Sequence, residues 1–323
     1  MSRASTASVF GATLADFAIA AADLLAALAG GSSAMLAEAI HSAVDGINGL
    51  LLLFGLKRSR RPPDEHHPFG HGKELYFWAL IVSCSIFATG GAASFFEGVI
   101  RLRHPEPLSH TGWAFAALGC GAAFDAASFF YSLRKFREQN RDKGFWEAAD
   151  ETKDPSVLMV VFEDFAAFVG QLIAAAGIFL EIRGWRLADG MASILIGCLM
   201  AATAVYLIAQ HRDLVIGEGV EDEISRSIRD LAIGDEKFLS IRAAHTVHFG
   251  PDTVLVTLDT EFDPNRKAGE LMEAVDRIQR SIRERYPAVK FIYIDPEAGE
   301  SQARGARVPE ARETQPQQMR KAG

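Results

Sequence analysis

Six stretches of this 323-residue chain are apolar over about 20 residues or more, the length a helix needs to cross a bilayer core. They run over residues 9–29, 34–56, 74–100, 111–134, 156–181 and 187–209. Inside hydrocarbon each backbone N–H and C=O needs a partner within its own segment, which restricts such runs to helices. The pattern therefore predicts a polytopic α-helical membrane protein with six transmembrane helices. The connection around 57–73 carries Lys57, Arg58, Arg60 and Arg61, and that around 134–155 carries Arg134, Lys135, Arg137, Arg141 and Lys143. Basic loops stay in the cytoplasm, so both loops and both termini are expected there. The first run is too long for a signal-peptide core and contains acids, which marks it as a retained span.

After residue 213 charge becomes dense and the periodicity changes. EDEISRSIRDLA reads as a short amphipathic helix, and SIRAAHTVHF and TVLVTLDTEF alternate as strands joined by Gly250-Pro251-Asp252. Leu271, Val275, Ile278 and Ile282 keep helical spacing, and FIYI is a last strand. The expected organisation is a transport domain over 1–212, a small cytoplasmic α+β unit (αββαβ, ferredoxin-like) over 213–296, and a disordered tail over 297–323. A net charge of −8 argues against a nucleic-acid partner. Cys84, Cys120 and Cys198 stand alone in apolar runs, without the spacing of thiolate ligands or disulfides.

Ionisable groups are costly in hydrocarbon, so their placement carries information. In the second span Glu38, His41, Asp45 and Asn48 follow one another at helical spacing and share a face. His41 and Asp45 present an imidazole and a carboxylate one turn apart, as a divalent-metal site on a helix requires. A polar contact between helices would use the same pair. The fifth span holds Glu163 and Asp164 in an apolar setting, with Gln171 two turns beyond Asp164. Neighbours on a helix diverge by ~100°, so one acid faces the second-span stripe and the other a neighbouring crevice. Asp16 and Asp23 in the first span and Asp125 in the fourth are weaker candidates, since a protonated acid hydrogen-bonded to a neighbouring helix, or a charge near the span's end, would account for each. In the first cytoplasmic loop, PPDEHHPFGHGKEL packs Asp64, His66, His67 and His71 beside a helix start, a density that favours divalent-metal binding. His245 and His248, three apart on a strand, point to opposite faces.

Together these residues resemble the cation diffusion facilitator family of divalent-metal/proton antiporters, most closely over SSAMLAEAIHSAVDGINGLLLLFGLKRSRRPPDEHHPFGHGKEL. The resemblance implies a tetrahedral transport site built from two ligands of the second span and two of the fifth. His41 and Asp45 take the second-span positions. In the fifth span Glu163 takes the usual His position and Ala167 the usual Asp position, with Asp164 as the substitute carboxylate. This Glu-Asp form resembles a branch that includes mitochondrial zinc transporters. The resemblance also implies a loop site of Asp64, His67 and His71, and a homodimer held through the soluble unit. A C-terminal two-metal site of some members is matched here only by His245 and Asp295, since Thr257, Glu270 and Tyr293 stand at the other positions. Lys73 occupies the place of a charge interlock between protomers.

The expected function is efflux of a divalent transition metal, zinc foremost, in exchange for protons, with the metal as cargo and no catalytic cofactor. One imidazole with two or three carboxylates is a hard ligand set, which discriminates less sharply against manganese, iron or cobalt. A bacterial inner membrane is the expected location. The rival reading is a membrane metal sensor or scaffold that binds the ion without moving it. An enzyme is not expected: no H-E-x-x-H pair is present.

Overall fold

The computed structural model describes residues 3–30, 33–104, 111–234, 238–262 and 267–296, with backbone only at 3–8, 23, 26–30, 33–41, 111–114, 117, 238–239 and 296. The tail expected from 297 lies outside the described residues. Long helices occupy each predicted span: α1 (Arg3–Gly30), α2 (Ser33–Arg58), α3 (Lys73–Ser85) continuing into α4 (Ala93–Arg103), α5 (Thr111–Gln139), α7 (Pro155–Ile182) and α8 (Ala188–Ile216). Between α5 and α7 lies a short helix, α6 (Phe145–Glu151), that the sequence pattern did not suggest. By length and hydropathy alone, three spans among the described residues are long and apolar enough to cross a membrane: Lys73–Arg103, Pro155–Ile182 and Ala188–Ile216.

Local chemistry sets where these helices start and bend. Asp154 caps α7 by accepting a hydrogen bond from the Ser156 backbone N–H, and Pro155 occupies the first turn, where its missing N–H costs nothing. The third span widens into a π-helical segment over Ile86–Ala92, whose Gly90 and Gly91 face α8. Small residues bring these two spans into close contact: a Cβ on Gly98 would stand 2.7 Å from the Gly190 carbonyl, and one on Gly197 would stand 2.6 Å from the Phe95 nitrogen. Arg101 pairs with Asp189 at the far end of the same helix pair.

The chain divides into two compact units. The first comprises Met1–Glu221, Thr246–Leu255 and Ala288–Phe291; the second comprises Asp222–His245, Val256–Pro287 and the chain from Ile292. The first therefore takes the tip of a hairpin from the soluble segment. The soluble segment runs α9 (Asp222–Ile233), β1 (Phe238–Gly250), β2 (Thr253–Phe262), α10 (Ala268–Arg285) and β3 (Val289–Pro296), the predicted αββαβ order. The sheet order is β1-β2-β3. Val254 N–H bonds to Ala288 O and Thr260 Oγ1 to Asp295 O, so β3 runs parallel to β2 after the α10 crossover. Along β2 burial alternates, with Val254, Val256, Leu258 and Thr260 inward. Ala274, Ile278 and Ile282 form the buried stripe of α10.

Candidate metal centre

α2 carries its polar stripe through the bundle beside α1, and glycines set the spacing. Gly46 lies against Phe17, and Gly49 against the Thr13 hydroxyl. One helix over, α7 brings Glu163 to the same level. The carboxylates of Asp45, Asp16, Asp164 and Asp125 all lie within electrostatic reach of Glu163, Asp45 foremost. Glu163, Asp45 and Asp16 are each half-buried. Acids of α1, α2 and α5 thus lie in the electrostatic environment of Glu163. The backbone of α2 places His41 one turn before Asp45; its side chain lies outside the described residues, as do those of Glu38 and Asp23.

The adjacent acids of α7 divide as helix geometry requires. Asp164 turns toward α5, where Ser128 Oγ donates to its Oδ2 at 2.7 Å and Ser132 Oγ at 3.1 Å. Further along the same interface, Gln171 Nε2 donates to Asp125 Oδ2 at 2.6 Å. Asp164 therefore has partners of its own on α5, while Glu163 is left for the α2 stripe. Sequence reasoning did not anticipate Ser128, Ser132 or the Asp125–Gln171 pair, although their spacing along α5 is helical and would have marked a polar seam.

Toward the end of the bundle that carries the 59–72 loop lies an apolar cluster, with Tyr76, Ser156 and His211 buried at the same end. Leu52 and Leu56 of α2, Leu75 and Ala79 of α3, and Met159 and Val160 of α7 belong to one buried cluster. Leu52 lies two turns beyond Asp45 on α2, and Met159 and Val160 lie about one turn before Glu163 on α7.

In the loop between α2 and α3 three ligand atoms do converge. Among the described residues, Asp64, His67 and His71 bring one donor each to within 4.8 Å of one another. Asp64 Oδ1 lies 3.2 Å from His67 Nδ1, and Asp64 Oδ2 lies 3.4 Å from His71 Nε2. The two contacts use different oxygens of the one carboxylate, and three donors this close together are of the kind that hold a divalent ion. Local backbone builds the site: the amides of His66 and His67 donate to Asp64 Oδ1 at 3.0 and 2.7 Å, and Gly70 turns the chain at φ +86°. The small desolvation of the Asp64 carboxyl would raise its pKa; hydrogen bonds from the His67 amide and ring, with His71 and His67 nearby, outweigh it and hold the group below the usual carboxylate range. His71 is buried and its Nδ1 has no hydrogen-bond partner among the described residues, whereas His66 is exposed and outside the cluster.

Lys73 opens α3 directly after the loop. Its Nζ donates to Val215 O at 3.3 Å and sits 5.2 Å from the centre of the Phe249 ring. That ring also stacks on Phe69 of the loop, at 4.7 Å between centroids. In the soluble segment His245 is exposed beside Asp259, 3.5 Å away, and His248 is buried, on opposite sides of β1 as the spacing predicts. Cys84, Cys120 and Cys198 are free and exposed on their helices.

The sequence matches known proteins over the same regions. Residues 9–213 match the cation efflux transmembrane domain. The chain is 31% identical to the mitochondrial proton-coupled zinc antiporter SLC30A9 of Homo sapiens over 236 residues, 72% of this chain and 42% of that protein. The Xenopus laevis counterpart is 29% identical over 266 residues, 81% of this chain and 48% of its own length. The chain thus spans about half the length of these antiporters. The manganese efflux system protein MneP of Bacillus subtilis is 25% identical over 287 residues, 88% of this chain and 92% of that protein.

Proposed function

The chain belongs to the cation efflux family of integral membrane proteins, and from that premise we propose that it exchanges a divalent transition metal for protons across its membrane. The observation that carries this reading is Glu163 on α7 facing the Asp45 stripe of α2 inside the bundle. In the proposed centre His41, Asp45 and Glu163 are ligands, and Asp164 stays with α5. Metal ligands must shed protons to bind, so cation entry and proton exit are thermodynamically linked at such a cluster. An imidazole with an ordinary pKa of about 6.5 suits that exchange near neutral pH.

Similarity to proteins named as zinc antiporters supports zinc as the cargo, and the manganese-named relative supports a wider range. The reading assigns no enzymatic chemistry. It places both termini in the cytoplasm of a bacterial inner membrane, on the basic loops at 57–73 and 134–155. Dimerisation through the soluble unit belongs to the same proposal. The loop cluster of Asp64, His67 and His71 favours a second reading, metal sensing without translocation, because it can bind the ion outside the bundle.

Metal uptake into proteoliposomes under an imposed pH gradient separates the two. Gradient-dependent uptake abolished by Asp45→Ala and by Glu163→Ala establishes exchange. Binding of zinc by the wild type with no uptake of zinc, manganese, iron or cobalt leaves the sensor.

A further inference from the structure

The inner face of α5 is packed at its C-terminal end, where Phe136 is buried with Ala148, Leu158, Val161 and Leu207. The outer face is different. Phe130, Leu133, Arg134, Arg137, Glu138 and Arg141 follow at steps of three, one, three, one and three, so they share one side of the helix. Together they line a shallow groove of about 360 Å³. Phe130 is 60% exposed, and the three arginines are exposed as well. Arg134 Nε pairs with Glu138 at 2.9 Å, whereas no acid pairs with Arg137 or Arg141 among the described residues. Three arginines against one glutamate leave two positive charges uncompensated in the groove. The chain end that carries Arg141 is held in place, since Asn140 Nδ2 donates to Phe136 O at 2.9 Å and the Asn140 N–H to Arg137 O at 3.2 Å.

The depth of these residues matters as much as their charge. The fourth predicted span ends at residue 134, which puts Phe130 and Leu133 at the edge of the hydrocarbon and Arg134 at its boundary. At ~1.5 Å rise per residue, Arg137 stands about 5 Å further out, within a headgroup layer about 5–7 Å deep. Arg141 follows about one turn later, and a long arginine side chain can reach back toward that layer. Apolar surface therefore passes directly into uncompensated guanidinium where a phospholipid passes from acyl chain to phosphate. Topology asks only for basic residues on this side of the membrane, not for arginines in register with exposed aromatic surface. In the other basic loop Arg58 is committed to Glu74 at 2.8 Å.

We propose that this groove holds an anionic phospholipid of the cytoplasmic leaflet, with its phosphate at Arg137 and Arg141 and an acyl chain along Phe130 and Leu133. Guanidinium presents a fork of donors that matches phosphate oxygens, and basic pockets beside membrane helices recognise anionic headgroups in this way. A zwitterionic lipid brings a cationic group that the two free arginines repel. A free phosphate ion satisfies the charges but leaves the apolar half of the groove without a partner. The site stands apart from the acids of α2 and α7 and does not depend on the exchange reading.

The test uses the full chain in detergent micelles, depleted of lipid and titrated with phosphatidylglycerol or phosphatidylcholine, with bound lipid counted by native mass spectrometry. The wild type is expected to hold one phosphatidylglycerol per chain about tenfold or more tighter than phosphatidylcholine. Arg137→Gln with Arg141→Gln should weaken phosphatidylglycerol by about 30-fold, the factor two basic residues supply at a charged headgroup, and leave phosphatidylcholine unchanged. Lys57→Gln with Arg61→Gln removes the same charge from the other loop and should change neither lipid. Inorganic phosphate at matched ionic strength should not displace the lipid. Equal affinity for the two lipids, equal loss from the two charge pairs, or displacement by inorganic phosphate would each overturn the proposal.

Discussion

Ser128 holds Asp164 from the neighbouring helix, hydroxyl to carboxylate at 2.7 Å, and Ser132 adds a second hydrogen bond at 3.1 Å. Two consecutive acids on α7 consequently have different surroundings: Asp164 ties α7 to α5, and Glu163 lies in the field of acids on α1 and α2. Substitutions at these two positions should separate cleanly. Glu163→Gln removes the carboxylate of a proposed ligand and is expected to cut gradient-driven metal uptake by about 10–100-fold or more, with the melting temperature maintained. Asp164→Ala removes the acceptor of the part-buried Ser128 hydroxyl, whereas Ser132 keeps the Ser128 carbonyl at 2.6 Å, so it should cost about 1–3 kcal/mol of stability while uptake per folded molecule persists. A stable, inactive Asp164→Ala protein beside an active Glu163→Gln protein would reverse the assignment.

The loop cluster is separable from the bundle. Asp64→Ala removes the carboxylate that touches both imidazoles, and zinc binding at this site should weaken by about 10–100-fold in calorimetric titration. Zinc should also raise the melting temperature of the wild type more than that of the variant, because a ligand bound only by the folded state stabilises it. An unchanged titration would remove metal binding from this loop.

Close packing of the third and sixth spans should be visible in stability. At Gly98 an added methyl meets the Gly190 carbonyl and Ile194 at 2.7 Å, with backbone on one side. Gly98→Ala should therefore destabilise by about 1–3 kcal/mol. Gly119 on α5 has nothing within 4 Å of the same methyl, so Gly119→Ala should be neutral or stabilising. Thermal unfolding in detergent compares the two; equal effects would refute the packing argument.

His248 gives the soluble segment an acid-sensitive point. Burial holds its imidazole below the ordinary range, against the opposing pull of the Gly250 carbonyl. The unfolded chain then takes up a proton near pH ~6.5, before the folded one does. Stability from the neutral ring is thus fully present above that value and is lost as pH falls through the depressed folded value. His248→Gln should flatten the decline of melting temperature between about pH 6.5 and 5. An acid limb of equal slope in both proteins would count against it.

Sequence pattern revealed a great deal here because hydrocarbon and helix periodicity leave few choices. The length of the runs demanded helices, and the 2-to-3.6 change of period after residue 213 set the αββαβ order. The His-rich loop was legible because its three candidate ligands lie within eight residues, where a tight turn brings them together without help from distant elements. The short helix α6 was not, since seven residues carry too little periodicity to distinguish from a loop.

What the sequence determined by itself was an inventory: six spans, acids on helical faces, and a loop with metal-ligand chemistry. It could state that Glu163 and Asp164 must diverge, because neighbouring side chains on a helix do. Only tertiary structure decided which acid went where, because that depends on which helices flank α7. The same holds for Lys73, whose Val215 and Phe249 contacts join residues far apart in the chain, and for Asn48, whose burial no local pattern records. Periodicity specifies the direction of a side chain relative to its own helix; what stands in that direction is a property of the packing.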